Sequence, residues 1–278
     1  MPRAVSEYDD IQAILRTGFG SLEEASFLLL RIANAGKAKA WLSAVAGEPG
    51  AEKLSYHVTT AKHSKDQHQD QALQIAFTAP GLSKLGMPAD CFPEDANQGP
   101  ASDRIHTFSR EFYIGLAGKE AEKRGRPRRL GDIGKNAPSE WDWGRPATQT
   151  LKSGFQPRAG GETAERFPEV LLLLYAKQGY LAAFEQIVIA DIALGFEVIR
   201  SLRAADATIA EEASKLRHEP FGFADGISQP VIDWDGARKP GTRADLDYGN
   251  LISAGEFLLG YQNEYGQYTR RPLIGPGL

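Results

Sequence analysis

Glu169-Val170-Leu171-Leu172-Leu173-Leu174-Tyr175-Ala176 contains the longest apolar run of the chain. It is far shorter than the ~20 residues that cross a bilayer. An apolar run this short suits a β-strand buried on both faces. Downstream, from Leu181, the apolar positions Phe184, Val188, Ile192, Gly195, Ile199 and Leu202 recur every three or four residues. That spacing describes one buried stripe and predicts a single long helix ending near Ala204. Upstream, the same logic extends toward the N-terminus. Ala25-Ser26-Phe27-Leu28-Leu29-Leu30-Arg31-Ile32 is a second short apolar run, closed by Asn34 and Gly36, and reads as a strand. Residues 37–46, rich in Ala and Lys with Trp41, Leu42 and Val45 at helical spacing, read as a helix stopped by Gly47 and Pro49.

Gln71-Ala72-Leu73-Gln74-Ile75-Ala76-Phe77-Thr78 alternates, which puts Leu73, Ile75 and Phe77 on one face of a half-buried strand. Pro80 and Gly81 stop it, and residues 82–87 read as a short helix. Residues 88–102 hold too many Pro, Asp and Gly for regular structure, 108–117 read as a helix, and 118–161 as a long excursion from the core. The order strand, helix, strand, irregular insertion, strand, helix is an α+β layer of antiparallel type rather than regular βα alternation. A ferredoxin-like fold accommodates it.

Composition narrows the function classes. The chain has 278 residues, a formal charge of −4 and 42% hydrophobic residues, enough for one large core or two small ones. No global positive field exists to hold nucleic acid or an anionic membrane. The single cysteine, Cys91, has no partner for an intrachain disulfide, and the first residues lack a basic-then-apolar leader. Both features fit a cytoplasmic protein.

The chemistry-bearing stretch is Arg217-His218-Glu219-Pro220-Phe221-Gly222-Phe223-Ala224-Asp225-Gly226-Ile227-Ser228-Gln229-Pro230, with one carboxylate between glycines and behind two aromatics. On its own, Ala-Asp-Gly followed by Pro can simply make a tight turn. The core of the stretch, Gly222-x-x-Asp225-Gly226, resembles the GxxDG signature of dye-decolorizing (DyP-type) heme peroxidases. Glu256-Phe257-Leu258-Leu259-Gly260-Tyr261-Gln262-Asn263-Glu264-Tyr265-Gly266 also resembles that family. A softer likeness covers Arg129-Leu130-Gly131-Asp132 and Asn136-Ala137-Pro138-Ser139-Glu140-Trp141-Asp142-Trp143-Gly144.

The resemblance implies an enzyme that binds heme b and oxidises dyes or phenolic donors with hydrogen peroxide. It implies two ferredoxin-like domains in a dimeric α+β barrel, with heme held between them. Residues 1–215, with the insertion 118–161, would be the first domain, and 216–278 the heme loop and the start of a second. Asp225 would be the catalytic acid–base, moving a proton between the two oxygens of peroxide. Phe221, Gly222, Phe223, Ala224, Gly226, Ile227 and Ser228 would line the heme. The glycines would let backbone pass close over the macrocycle, and Phe221, Phe223 and Ile227 would exclude water.

The family's proximal iron ligand lies in its second half, whereas no histidine follows Asp225 here. Nor can the acid that supports that ligand, or the distal arginine, be assigned. The chain is therefore expected to be an N-terminal portion. It would be inert alone or would pair with a complementary C-terminal chain that supplies the ligand. His218 is close enough along the chain to reach a ligand position, but its Arg-His-Glu-Pro setting reads as a loop histidine.

Other candidates have bland readings. His57, His63 and His68 lack the i, i+4 spacing of a helical metal pair and read as a solvated face. Lys119, Lys123, Arg124, Arg126, Arg128 and Arg129 form a basic run interrupted by Glu120 and Glu122, either solvated or a docking patch. Trp141, Trp143, Tyr261, Tyr265 and Tyr268 are oxidisable side chains for which loop packing is the simpler role.

Overall fold

The computed structural model describes residues 5, 7–16, 18, 19, 21–62, 69–92, 106–115, 125–140, 167–204, 230–237 and 250–272. They fall into two compact units that are not consecutive in the chain. One comprises Phe19–Thr59, His68–Arg203 and Arg270–Leu278; the other Met1–Gly18, Thr60–Gln67 and Ala204–Thr269. The sequence reading instead divides the chain once, after residue 215.

The larger unit is built on strands β1 (Glu24–Ile32), β2 (Gln71–Phe77), β3 (Val170–Ala176) and β4 (Phe196–Arg203). They form one sheet in the order β2-β3-β1-β4 with every neighbouring pair antiparallel, the α+β ferredoxin-like arrangement expected. The apolar run quoted first is β3, a central strand. Its register places Leu172 between Leu28 of β1 and Ile75 of β2, so the three side chains share a face. Val170, Leu172, Leu174 and Ala176 are buried on that face, while Leu171, Leu173 and Tyr175 on the other are only half-buried. The expected burial on both faces is thus realised fully on one.

Helices α1 (Ala35–Ala46) and α5 (Leu181–Ile192) cover the buried face. Between them in the chain lie the short helices α2 (Ala79–Lys84), α3 (Arg110–Ile114) and α4 (Arg126–Leu130). In α1 the Asn34 side chain accepts the Lys37 N–H at 3.0 Å, and Gly47 closes the helix at φ 76°. Its inner side buries Ala38, Trp41, Ala44 and Val45. On α5, Leu181, Phe184, Val188 and Ile192 make the matching stripe, each large side chain contributing about 1.5–3 kcal/mol.

Two expectations are corrected. The long helix to Ala204 stops at Ile192, and Ile199 and Leu202 lie on strand β4. Gly195 makes the break: a Cβ there would meet the Ala38 backbone nitrogen at 2.7 Å, so chain and helix α1 touch through backbone. The short helix begins at Ala79, earlier than residue 82, because Pro80 fits a first helical turn and Thr78 Oγ1 caps it by accepting the Gly81 N–H at 3.3 Å. The helix foreseen over 108–117 is observed as Arg110–Ile114, with residues 116 and 117 outside the described set.

Two buried carboxylates pin the sheet to its cover. Glu185 of α5 accepts Ser201 Oγ at 2.6 Å and Ser26 Oγ at 3.0 Å, and pairs with Arg203. Burial pushes its carboxyl up, but Ser201, Arg203 and Ser26 together outweigh this and hold it below the ordinary carboxylate range. Glu169 accepts the Ile32 N–H at 2.7 Å and pairs with Lys84 at 3.0 Å, locking α2 to one end of the sheet. Tyr56 donates to Asp191 at 2.9 Å and receives Trp41 Nε1–H at 3.3 Å. Burial, reinforced by Asp191, raises its phenol pKa. Among the described residues no helix is long and apolar enough to cross a membrane.

Candidate functional site

The smaller unit carries the stretch singled out for chemistry. Asp225, Phe221, Gly222, Phe223, Ala224, Gly226, Ile227 and Ser228 lie outside the described residues, as do His218, His63, His68, Trp141 and Trp143. Pro230, the last residue of that stretch, directly precedes β5 (Val231–Asp233). Strand β5 pairs in parallel with β6 (Leu251–Ser253), matching Ile232 to Ile252 and Asp233 to Ser253. Asp233 is buried, and its Oδ1 accepts the Ala237 N–H at 2.9 Å, fixing the turn that follows.

The segment from Glu256 to Gly266, the second stretch of family likeness, braces β6. Glu264 accepts the Ser253 N–H at 2.6 Å, and Glu256 accepts the Glu264 N–H at 2.8 Å. The Glu264 carboxylate thereby satisfies a β6 N–H in place of a strand carbonyl, and Glu256 fixes the backbone of Glu264. Gly255 N–H donates to Gln262 O at 3.1 Å, and an added Cβ at Gly255 would stand 2.3 Å from Gln262 carbonyl carbon. Only glycine permits that closeness. Asn263 Oδ1 accepts the N–H groups of Tyr265 and Gln267, shaping the tip. The Ser253 hydroxyl is buried with no hydrogen-bond partner among the described residues, a donor that a water or ligand atom would satisfy.

The N-terminal segment completes this unit. Val5 N–H donates to Trp234 O at 2.8 Å, and Val5, Ala254 and Leu258 form a small core with Tyr8, Ile11, Ile232, Trp234 and Tyr261 around it. Tyr261 donates its hydroxyl to Glu7, a pairing between chain ends that no local sequence pattern signals. Tyr265 and Tyr268 are exposed.

Could the described residues hold heme iron? His57 and His106 are both exposed, so neither offers a buried imidazole over an apolar surface. Cys91 is buried, but burial and then the neighbouring Asp90 push its thiol up, away from the thiolate that iron would need. No group of three or more His, Cys, Asp or Glu side chains among the described residues could hold a metal. These residues do not fit an axial ligand set.

The fold itself is that of DyP-type peroxidase structures. The fungal DyP-type peroxidase from Auricularia auricula-judae superposes with a TM-score of 0.56 and 18% identity, covering 96% of this chain and 46% of its own. A dye-decolorizing peroxidase in complex with 2,6-dimethoxyphenol gives 0.55 and 17%, over 95% of this chain and 47% of that one. An ancestral D-type dye-decolorizing peroxidase gives 0.55 and 20%, over 93% and 45%. The chain thus spans a little under half the length of these structures, and at such identities the likeness establishes the fold. No family profile and no curated protein matches the sequence.

Proposed function

We propose that this chain is a portion of a DyP-type heme peroxidase, corresponding to the first of its two ferredoxin-like domains and the loop with the catalytic acid. The observation that carries this reading is the shared fold over 95% of the chain, joined to the Gly222-x-x-Asp225-Gly226 stretch. Bound heme b would supply the redox chemistry toward hydrogen peroxide. Asp225, as carboxylate, would take the proton from the near oxygen of peroxide and return it to the far oxygen, which leaves as water. Phe221, Phe223 and Ile227 would exclude bulk water, and Gly222, Ala224, Gly226 and Ser228 would let the backbone approach the macrocycle. Donors would be phenols or dyes.

Two observations favour a narrower version, in which the isolated chain is silent and a complementary chain supplies the axial histidine. Both described histidines are exposed, and the chain spans less than half of its structural neighbours. The test is reconstitution with hemin, alone and with a histidine-bearing C-terminal half of a DyP-type peroxidase, followed by the Soret band and oxidation of 2,6-dimethoxyphenol. Peroxide-dependent turnover is expected with the complementary half, and Asp225→Asn should lower it by roughly 10²–10⁴-fold. Turnover unaffected by Asp225→Asn removes the assigned role, and no turnover in any combination removes the peroxidase reading.

A further inference from the structure

Two surfaces of this chain, one in each compact unit, have opposite charge and a shared apolar character. In the smaller unit a cleft of about 430 Å³ is lined by Glu7, Asp10, Ile11, Leu15, Leu259 and Tyr261, among others. Its rim leaves Leu15 37% and Leu259 53% exposed. Among the described residues the nearby cations are already engaged: Lys62 pairs with Asp9 at 3.0 Å, and Arg16 lies 4.1 Å from the Tyr8 ring and donates to Ala61 O. Asp10 is exposed, with no side-chain partner among the described residues, so the cleft is acidic over an apolar floor.

The larger unit presents the converse on α4 and the turn after it. Arg128 and Arg129 are exposed without side-chain partners among the described residues, and beside them Leu130 is 58% and Ile133 61% exposed. This knob is held firmly. Arg126 pairs with Glu111 at 2.6 Å and donates to Gly115 O at 2.9 Å, and Pro127 is buried, which fixes the helix that carries the free arginines. A knob ordered before contact loses little entropy on docking.

We infer that the cleft receives the Arg128-Arg129-Leu130 knob of a second copy of this chain. Guanidinium groups meet Asp10, and Leu130 and Ile133 cover Leu15 and Leu259. Charge complementarity selects this occupant: Arg128 and Arg129 are exposed beside the apolar Leu130 and Ile133, and the cleft sets the exposed Asp10 beside the apolar Leu15 and Leu259. A patch complementary to a pocket elsewhere on the same molecule makes a heterologous, head-to-tail contact, which closes into rings or extends into filaments.

Sedimentation velocity on the full chain, from ~1 to ~100 µM, tests it in about 50 and about 500 mM salt. Assembly that grows with concentration at low salt and weakens at least ~10-fold at high salt is expected. Arg128→Glu with Arg129→Glu should abolish it, and so should Asp10→Lys. Combining Asp10→Lys with Arg128→Glu and Arg129→Glu in one chain should restore it. All substituted positions are exposed, and circular dichroism checks that each variant folds. A monomer throughout at low salt overturns the inference, as does assembly indifferent to both single reversals, or a charge swap that restores nothing.

Discussion

The two units of the molecule are stabilised in different ways. In the four-stranded sheet, Leu28, Leu30, Leu73, Leu172 and Leu174 are fully buried beneath two helices, and hydrophobic burial holds the layer together. Around β5 and β6 the strands are three residues long, the buried core is Val5, Ala254 and Leu258, and the Glu264 carboxylate accepts the Ser253 N–H that a longer sheet would pair. Strands β5 and β6 therefore rest on polar pins with little apolar area behind them. Such regions open locally at lower free energy than a packed sheet.

The sharpest way to break this contrast is a pair of truncations. Leu172→Ala is expected to cost about 2–5 kcal/mol, and Leu258→Ala roughly half of that, because the smaller core collapses around the loss more easily. Denaturant unfolding reads both, and equal costs would dissolve the distinction. Next in size are the close-approach glycines. Gly195→Val should cost about 2–4 kcal/mol by forcing α1 off the β4 end, while Gly255→Val should instead raise hydrogen exchange at Ser253 and Gly255 with a smaller loss of global stability.

A third comparison is of charge. Because Glu185 is held below the ordinary carboxylate range in the fold, its contribution is complete above that range and is lost as pH falls through its depressed value. Glu185→Gln should therefore destabilise at neutral pH by about 1–3 kcal/mol and flatten the acid limb of the stability profile. Glu264→Gln is the smallest expected effect, below about 1 kcal/mol, since the amide oxygen still accepts the Ser253 N–H. A larger loss would mean that charge, beyond geometry, secures the β6 brace.

The sheet was legible in the sequence wherever side chains faced a helix. Leu28, Leu73 and Leu172 sit in short runs whose length excludes a long helix, and all three fall on strands. The failure at Ile199 and Leu202 has a physical reason: in an edge strand with one packed neighbour, few positions are strongly buried, and apolar residues can fall by chance at helical intervals. The signal that could have ended α5 earlier was Gly195, a poor residue within a helix. Of the candidate site, the GxxDG stretch was legible as a motif, whereas the Tyr261–Glu7 link and the acidic cleft join residues at opposite ends of the sequence. No local pattern encodes such a pairing.

Strand β4 pairs only with β1, which leaves its outer rim as a sheet edge among the described residues. Glu197, Arg200 and Arg203 punctuate that rim, and Glu197 is tied across to Arg31. A strand studded with both signs of charge is a poor template for another strand, so the polypeptide is guarded against fibrillar stacking while it folds.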